Sequence, residues 1–258
     1  MRVLALGHLP LHSAKTFRMP KIFVVTPTYN ERENIAELTR KIFALRLPEL
    51  SLIVVDDNSP DCTAGVAEGL NSDFPITVLR RPNKQGLGPA YVHGFGYVLS
   101  VLKPEEKALI VEMDADLSHD PNSIPKLVAA AQNYDVVIGS RYVLGGSIRH
   151  WNFFRRLVSR FGNWYARLVL DLPYRDLTSG FKCYRREVVE NLISHPLDSL
   201  GYNFQIETVY KSHRAGFSVG EVPIIFTERA RGGSKFRLGI VLEAFWRVIK
   251  LRSDKTSR

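Results

Sequence analysis

Five short runs of almost unbroken valine, isoleucine and leucine, separated by longer amphipathic stretches, constrain this chain more than any other feature. They are Ile22 to Thr26, Leu52 to Asp56, Ile76 to Leu79, Leu109 to Met113 and Val136 to Gly139. A strand that is apolar on both faces must be covered on both, which is the condition of a parallel sheet flanked by helices. Between the runs, Ile35, Leu38, Ile42 and Leu45 recur at helical spacing, as do Ile124, Leu127 and Val128. Strand, helix and strand repeated from Lys21 onward predict an α/β sheet with right-handed crossovers. Such sheets bind ligands beyond the carboxyl ends of their strands.

That is where the polar punctuation falls. Pro27-Thr-Tyr-Asn-Glu31 follows the first run, Asp57-Asn-Ser-Pro-Asp61 the second, and Asp114-Ala-Asp-Leu-Ser-His119 the fourth. Three turn-forming loops on one edge, two of them acidic, point to a site assembled from separate segments. Asp114 and Asp116 at a strand tip suit Mg²⁺ or Mn²⁺, which take carboxylate, phosphate and water oxygens. The same segment also reads as a helix cap, with Ser118 and Asp120 ahead of Pro121. Asp56 and Asp57 form either an Asx turn or a pair facing a ribose or base edge, and something must offset their mutual repulsion. Lys84-Gln-Gly-Leu-Gly-Pro89 lacks both the P-loop and the dinucleotide glycine patterns, so it reads as a helix-opening loop that leaves Lys84 available to a ligand. Among the histidines, His93, His195 and His213 read as decoration, and His119 is the candidate because it adjoins the acidic loop.

Past Ser140-Arg-Tyr142 the rhythm changes. An aromatic and basic stretch runs from Trp151 to Leu172, followed by the Thr178-Ser-Gly-Phe181 turn and a helix predicted around Phe204 to Arg214. The second half is therefore expected to build an acceptor side. Arg229-Ala-Arg-Gly-Gly-Ser-Lys235 gathers cations around two glycines, and residues 236 to 252 read as a basic amphipathic helix. The aromatic stretch, with Arg155, Arg156 and Arg160 interleaved, suits a core, an interface or a membrane surface. Residues 1 to 20, with Pro10 interrupting a short apolar stretch, are too broken for a secretory signal and are expected to form an extension.

The formal net charge of +9 favours an anionic partner: nucleic acid, a phosphorylated ligand or an acidic lipid surface. Nucleic acid is disfavoured by the acidic loops and by the lack of a reader motif. Two distant cysteines, Cys62 and Cys183, support neither a disulfide framework nor a zinc site, and a reducing, cytosol-facing compartment is expected. No apolar window is long enough to span a bilayer.

In combination, Pro27-Thr-Tyr-Asn-Glu-Arg-Glu-Asn34, Val55-Asp-Asp-Asn-Ser-Pro-Asp61, Met113-Asp-Ala-Asp-Leu-Ser-His119, Gly139-Ser-Arg-Tyr142 and Arg229-Ala-Arg-Gly-Gly-Ser-Lys235 resemble the polyprenol-phosphate (dolichol-phosphate) mannosyltransferases over roughly residues 21 to 250. These belong to glycosyltransferase family 2 and have the GT-A nucleotide-diphospho-sugar transferase fold, a Rossmann-like, mostly parallel sheet flanked by helices. The resemblance implies transfer of mannose from GDP-mannose to a polyprenyl phosphate with inversion at the anomeric carbon. It implies that Pro27, Tyr29, Glu31, Val55 and Asp57 hold the guanosine, and that Asp114, Ala115 and Asp116 hold the ribose, metal and diphosphate. It implies too that Arg141, Arg229 and Lys235 grip phosphates while Arg155 lies near the acceptor, so that Asp116, Arg141, Arg229 and Lys235 are the catalytic candidates and Arg141 with Arg155 the acceptor-phosphate pair. Two positions depart from the pattern. Ser118 stands where some members have a Gln of the metal shell, and Asn203 where some have a Lys near the donor.

These readings divide the chain into an extension (residues 1–20), a glycosyltransferase domain (21–235, donor side 21–140 and acceptor side 141–235) and a C-terminal amphipathic helix and tail (236–258). A phosphate monoester is already largely ionised at neutral pH, with a second pKa of about 6, so it needs cations to place it more than a base to activate it. The many cations fit that acceptor. Peripheral attachment to the cytosolic membrane face through residues 151–167 and 236–252 is expected, with a separate membrane subunit as the other route. UDP-glucose is the competing donor. A basic nucleic-acid-binding protein and a catalytically silent scaffold are the readings outside enzymology.

Overall fold

The structure, a computed structural model, describes residues 20–197, 199, 201–228 and 238–253. The first half alternates as expected: β1 (Lys21–Thr28), α1 (Arg32–Phe43), β2 (Leu50–Asp56), α2 (Thr63–Glu68), β3 (Ile76–Arg80), α3 (Leu87–Val101), β4 (Ala108–Glu112), α4 (Ile124–Ala130) and β5 (Val136–Ser140). The second half adds β6 (Ser147–Arg149), α5 (Phe153–Leu170), β7 (Lys182–Arg185), α6 (Arg186–Ile193), α7 (Tyr202–Arg214), β8 (Val219–Pro223), β9 (Ile225–Thr227) and α8 (Leu238–Ser253). Residues 1–19, 229–237 and 254–258 lie outside the described residues. So do most of the expected extension and the whole Arg229–Lys235 cluster.

Seven strands form one sheet in the order β3-β2-β1-β4-β7-β5-β8. The neighbours β3, β2, β1 and β4 run parallel, as do β5 and β8. β7 runs antiparallel between β4 and β5 and was not among the five predicted strands. Its four residues, Lys-Cys-Tyr-Arg, carry too little apolar pattern to be read as a strand, yet they separate two strands that are consecutive in the apolar rhythm.

The unbroken apolar runs are explained by the two sheet faces. Ile22, Val24, Leu52 and Val54 pack under α1 and α4, whereas Phe23, Val25, Ile53 and Val55 pack under α3 and α6. Gly94 lets α3 lie close: a Cβ there would sit 2.5 Å from Val25 Cγ1 and 3.0 Å from Val55 Cγ2. A third cluster joins Ile138 of β5 to Ala166 and Leu170 of α5, Val209 of α7 and Val248 of α8. At the centre of the sheet Glu112 and Lys182 are both fully buried, 3.5 Å apart. Tyr184 Oη donates to Glu112 at 2.9 Å, and Lys182 Nζ donates to Gln205 Oε1. Burial raises the Glu112 carboxyl above its ordinary range against the pull of Lys182, and lowers the Lys182 ammonium.

α5 inverts the usual distribution. It buries Asn163, Ala166 and Leu170 while Phe153, Phe154, Leu157, Phe161, Trp164 and Leu168 are exposed. Trp246 and Ile249 of α8 are exposed as well. Among the described residues no helix is long and apolar enough to cross a membrane.

Candidate active site

β1 lies between β2 and β4, so the loops leaving all three strands open on one edge of the sheet. Register places Pro27 opposite Val55 and Thr28 opposite Asp56, bringing the nucleotide-side candidates together. The Val55 side chain is wholly buried in the core and Pro27 and Tyr29 are half-buried. Asp56 is a structural knot: it accepts from Thr28 Oγ1 at 2.9 Å, from Ser59 N–H at 2.9 Å and from Ser59 Oγ at 2.6 Å. Asp57 is buried against Arg81, whose Nη1 donates to it at 2.5 Å, while Nη2 donates to Gln85 Oε1 at 2.6 Å. The repulsion between the two adjacent carboxylates is thus offset by Arg81 and two hydroxyls. Lys84 Nζ lies 3.5 Å from the centroid of the Tyr29 ring, a cation–π contact at the rim of the same loop. Glu31 accepts from Asn34 Nδ2 at 2.7 Å and gives its N–H to Thr63 Oγ1 at 3.0 Å, tying the loop to α1 and α2.

The acidic loop follows β4. Asp114 is partly open and accepts from Tyr91 Oη at 3.4 Å, whereas Ala115, Asp116, Ser118 and His119 are buried. Asp116 accepts the Ser118 N–H at 3.0 Å, closing an Asx turn around Leu117, whose φ is +61°. Of the capping readings, only Asp120 acts as a cap, accepting from Asn122 N–H at 3.0 Å. His119 is stacked on Phe181, edge-on to Phe226, and takes the Asp114 N–H on Nδ1 at 3.3 Å. Burial lowers it to about 4, Arg141 and Lys182 push the same way, and Asp116 and Asp176 oppose them. At neutral pH it is therefore an uncharged prop with its proton on Nε2, and it holds the loop's backbone.

Ser118 Oγ is buried in this loop without a hydrogen-bond partner, and Gln205, whose Oε1 accepts from Lys182, brings its side-chain amide to the same corner. A Cβ on Gly180 would lie 3.4 Å from Gln205 Nε2 and 3.5 Å from Asp114 Oδ2, so the glycine keeps this corner open. A buried hydroxyl left without a partner is costly, and Ser118 beside two carboxylates marks a place that a ligand can satisfy. Among the described residues no group of three or more His, Cys, Asp and Glu could hold a metal by itself. Two carboxylates and the Ser118 hydroxyl nevertheless fit a hard divalent cation that draws its remaining ligands from a diphosphate and water.

The cationic side is built on β5 and α5. Arg141 is clamped by the fully buried Asp176, donating from its backbone N–H at 2.8 Å, Nε at 2.8 Å and Nη2 at 2.7 Å, and Nη2 also reaches Thr178 Oγ1 at 2.8 Å. Its guanidinium lies between the rings of Tyr142, Trp151 and Phe226. Arg155 stacks 4.1 Å from the Trp151 centroid and donates to Glu228 at 2.6 Å. Arg141 and Arg155 thus flank one indole. Arg229 and Lys235 lie outside the described residues. Sequence reasoning missed Arg81, Asp176 and Gln205. Arg81 was findable as the second of the two arginines that follow the third run, but Asp176 and Gln205 come from a loop and a helix face whose patterns carry no sign of the site.

Residues 23–193 match the family model Glycosyl transferase family 2. The chain is 41% identical over 231 residues to polyprenol monophosphomannose synthase of Mycolicibacterium smegmatis, covering 88% of this chain and 85% of that one. It is 38% identical to undecaprenyl-phosphate mannosyltransferase of Micrococcus luteus (89% and 93% covered) and 39% identical to dolichol-phosphate mannosyltransferase of Pyrococcus furiosus (90% and 63%). Among solved structures, glucosyl-3-phosphoglycerate synthase from Mycobacterium tuberculosis in complex with Mn²⁺, uridine-diphosphate and glucosyl-3-phosphoglycerate superposes with a TM-score of 0.64 at 21% identity, over 90% of this chain and 78% of that one. That likeness carries the fold alone, which is GT-A. With the family model spanning the β1 to α6 region and these relatives matched along most of their length, the chain belongs to glycosyl transferase family 2 and is a glycosyltransferase.

Proposed function

We propose that this enzyme transfers mannose from GDP-mannose to a polyprenyl (dolichyl) monophosphate with inversion. The single observation that carries the reading is one of placement. The acidic loop, with its unpartnered Ser118 hydroxyl, adjoins through Phe226 an arginine pair around Trp151, and that pair stands at the start of a helix whose apolar face is exposed. A nucleotide-sugar site and a phosphate site next to an apolar surface are what a lipid phosphate acceptor requires. The relatives' names, which specify polyprenol, undecaprenyl phosphate and dolichol phosphate, support it.

In the reaction an acceptor phosphate oxygen bonds to the anomeric carbon as the bond to the departing GDP oxygen breaks. Pro27, Tyr29, Glu31 and Asp57 line the guanosine side, with Asp57 held in place by Arg81, while Val55, expected there too, is packed beneath them in the core. Asp114, Asp116 and Ser118 are the residues that would hold Mg²⁺ or Mn²⁺, with Ala115 between them. Bound there, the ion would supply charge neutralisation for the leaving diphosphate. Arg229 and Lys235 are assigned to the same leaving phosphates. Arg141 and Arg155 orient the acceptor phosphate, which enters already ionised and requires no general base. His119, neutral and holding the Asp114 backbone, is a positioning residue.

Purified protein with Mg²⁺ or Mn²⁺, a short polyprenyl phosphate, and radiolabelled GDP-mannose beside UDP-glucose tests the reading. Mannolipid from GDP-mannose alone is expected, reduced by about two orders of magnitude or more in Asp116→Ala. Glucolipid would overturn the donor, and no lipid product from either sugar nucleotide would overturn the acceptor.

A further inference from the structure

Arg141 also lines a cavity of about 400 Å³ that Trp151 and Arg155 do not reach. Its other walls include Arg160, Arg167, Arg175, Asn163 and Trp164, and no carboxylate residue lines it. The charge of Arg141 is matched by Asp176. Among the described residues no carboxylate pairs with the side chains of Arg160, Arg167 or Arg175, and Arg167 Nε is buried without an acceptor. Arg160 and Arg175 are exposed while Arg167 Nε is buried without an acceptor, so an anion entering this space meets three guanidinium groups and satisfies the buried donor, and guanidinium geometry suits phosphate oxygens.

The position of the cavity says where the phosphate comes from. At 100° per residue, Phe153, Leu157, Phe161, Trp164 and Leu168 form the exposed apolar stripe of α5. Arg160 and Arg167 fall on the flank between that stripe and the buried Asn163, Ala166 and Leu170. Trp164 belongs to both, being exposed on the stripe and a wall of the cavity. α8 packs against α5 through Phe245 on Tyr165, with ring centroids 4.4 Å apart, and adds the exposed Trp246 and Ile249. With such a stripe seated in a bilayer interface, basic side chains on its flank come to the level of the headgroups.

We propose that this cavity binds the phosphate of an anionic membrane phospholipid other than the acceptor, and so docks α5 on the bilayer. The inference rests on the lipid-acceptor reading above. The full chain is floated with phosphatidylcholine vesicles carrying either phosphatidylglycerol or an equal charge of oleate, at about 0.15 M salt. Stronger binding to phosphatidylglycerol vesicles is expected. R160Q/R167Q/R175Q is expected to lose roughly a hundredfold in partition, since each basic side chain at an anionic surface contributes about fivefold. Arg175→Gln alone, on an exposed turn, is expected to lose about fivefold and guards against a folding defect in the triple variant. K107Q/K126Q/R214Q removes the same charge from exposed sites on other segments and is expected to bind as the parent does.

In detergent with a short-chain acceptor, the triple variant is expected to keep its kcat and its acceptor KM. Equal loss in both triple variants, equal flotation on oleate, or displacement by inorganic phosphate would overturn the proposal. A raised acceptor KM would overturn it as well, by giving the cavity to the acceptor's own phosphate. Failure of the functional reading shows separately, as absent lipid product from the parent in detergent while flotation still follows the arginines.

Discussion

A single carboxylate decides what Arg141 can do. Asp176 is fully buried and takes three hydrogen bonds from that one residue, so the guanidinium stands in a fixed plane among Tyr142, Trp151 and Phe226. Removing one partner of a buried pair leaves the other uncompensated, which costs about 3–5 kcal/mol. Asp176→Asn is therefore expected to lower stability by roughly 3 kcal/mol in denaturant titration. It is also expected to raise the acceptor KM while leaving the donor KM unchanged, a split that a merely structural residue would not produce. The two thiols make a simpler contrast. Cys62 is exposed, whereas Cys183 is buried in β7 and pushed up to about 12 by burial, with Arg185 opposing. A thiol reagent at pH 8 is expected to modify Cys62 alone in the native protein and both cysteines in denaturant; prompt labelling of Cys183 in the native state would contradict the placement of β7 at the centre of the sheet.

At the scale of elements, legibility follows the strength of the periodic signal. The five apolar runs are all strands; four gain one to three residues in the structure, and the fourth keeps its length but shifts by one residue, from Leu109–Met113 to Ala108–Glu112. The loops at their carboxyl ends were legible for the same reason, since a parallel sheet fixes which end of each strand bears the site. β7 and the Asp176 loop were not. Four residues of mixed polarity buried between two strands have no period, and the pairing that makes them a strand is supplied by partners about 50 and 70 residues away in sequence. α5 was read as a basic aromatic stretch with three open fates. The structure divides it: Ala166 and Leu170, with Tyr165 against them, belong to the core, while Phe153, Phe154 and Trp164 face outward. The contact between α3 and β1 gives a prediction at this scale. Gly94→Ala places a methyl 2.5 Å from Val25 Cγ1, so α3 or the valine must move, and overpacking of this kind costs about 1–3 kcal/mol. Thermal melts are expected to show that loss, while Gly96→Ala, two residues along the same helix with nothing within 4 Å of the new methyl, is expected to be neutral or stabilising.

For the molecule as a whole, stability against pH is set by carboxylates shifted in opposite directions. Asp61 and Asp135 lie below the ordinary carboxylate range. Burial opposes the shift in each. At Asp61 the Thr63 hydroxyl and the Arg32 and Thr63 N–H groups outweigh it, and at Asp135 the Ser218 hydroxyl and N–H and the Arg185 charge do so. Groups depressed in the folded state contribute stability that is present above their unfolded pKa and is lost as pH falls through the folded value. Glu112 is shifted the other way by burial, so folding takes up a proton there, and its contribution is greatest at low pH and fades as pH rises through the raised value. Two variants therefore have opposite signatures. Asp135→Asn is expected to destabilise at neutral pH, with the deficit shrinking as pH falls below the ordinary carboxylate range, where the parent's Asp135 is protonated as well. Glu112→Gln is expected to show its largest deficit in mild acid and a smaller one toward neutral pH, because the parent alone bears the cost of ionising a carboxyl beside Tyr184 and Lys182 at the centre of the sheet. Denaturant midpoints measured from about pH 2 to about pH 8 for both variants check this, and deficits that run parallel across the range would remove both carboxylates from the account of acid stability.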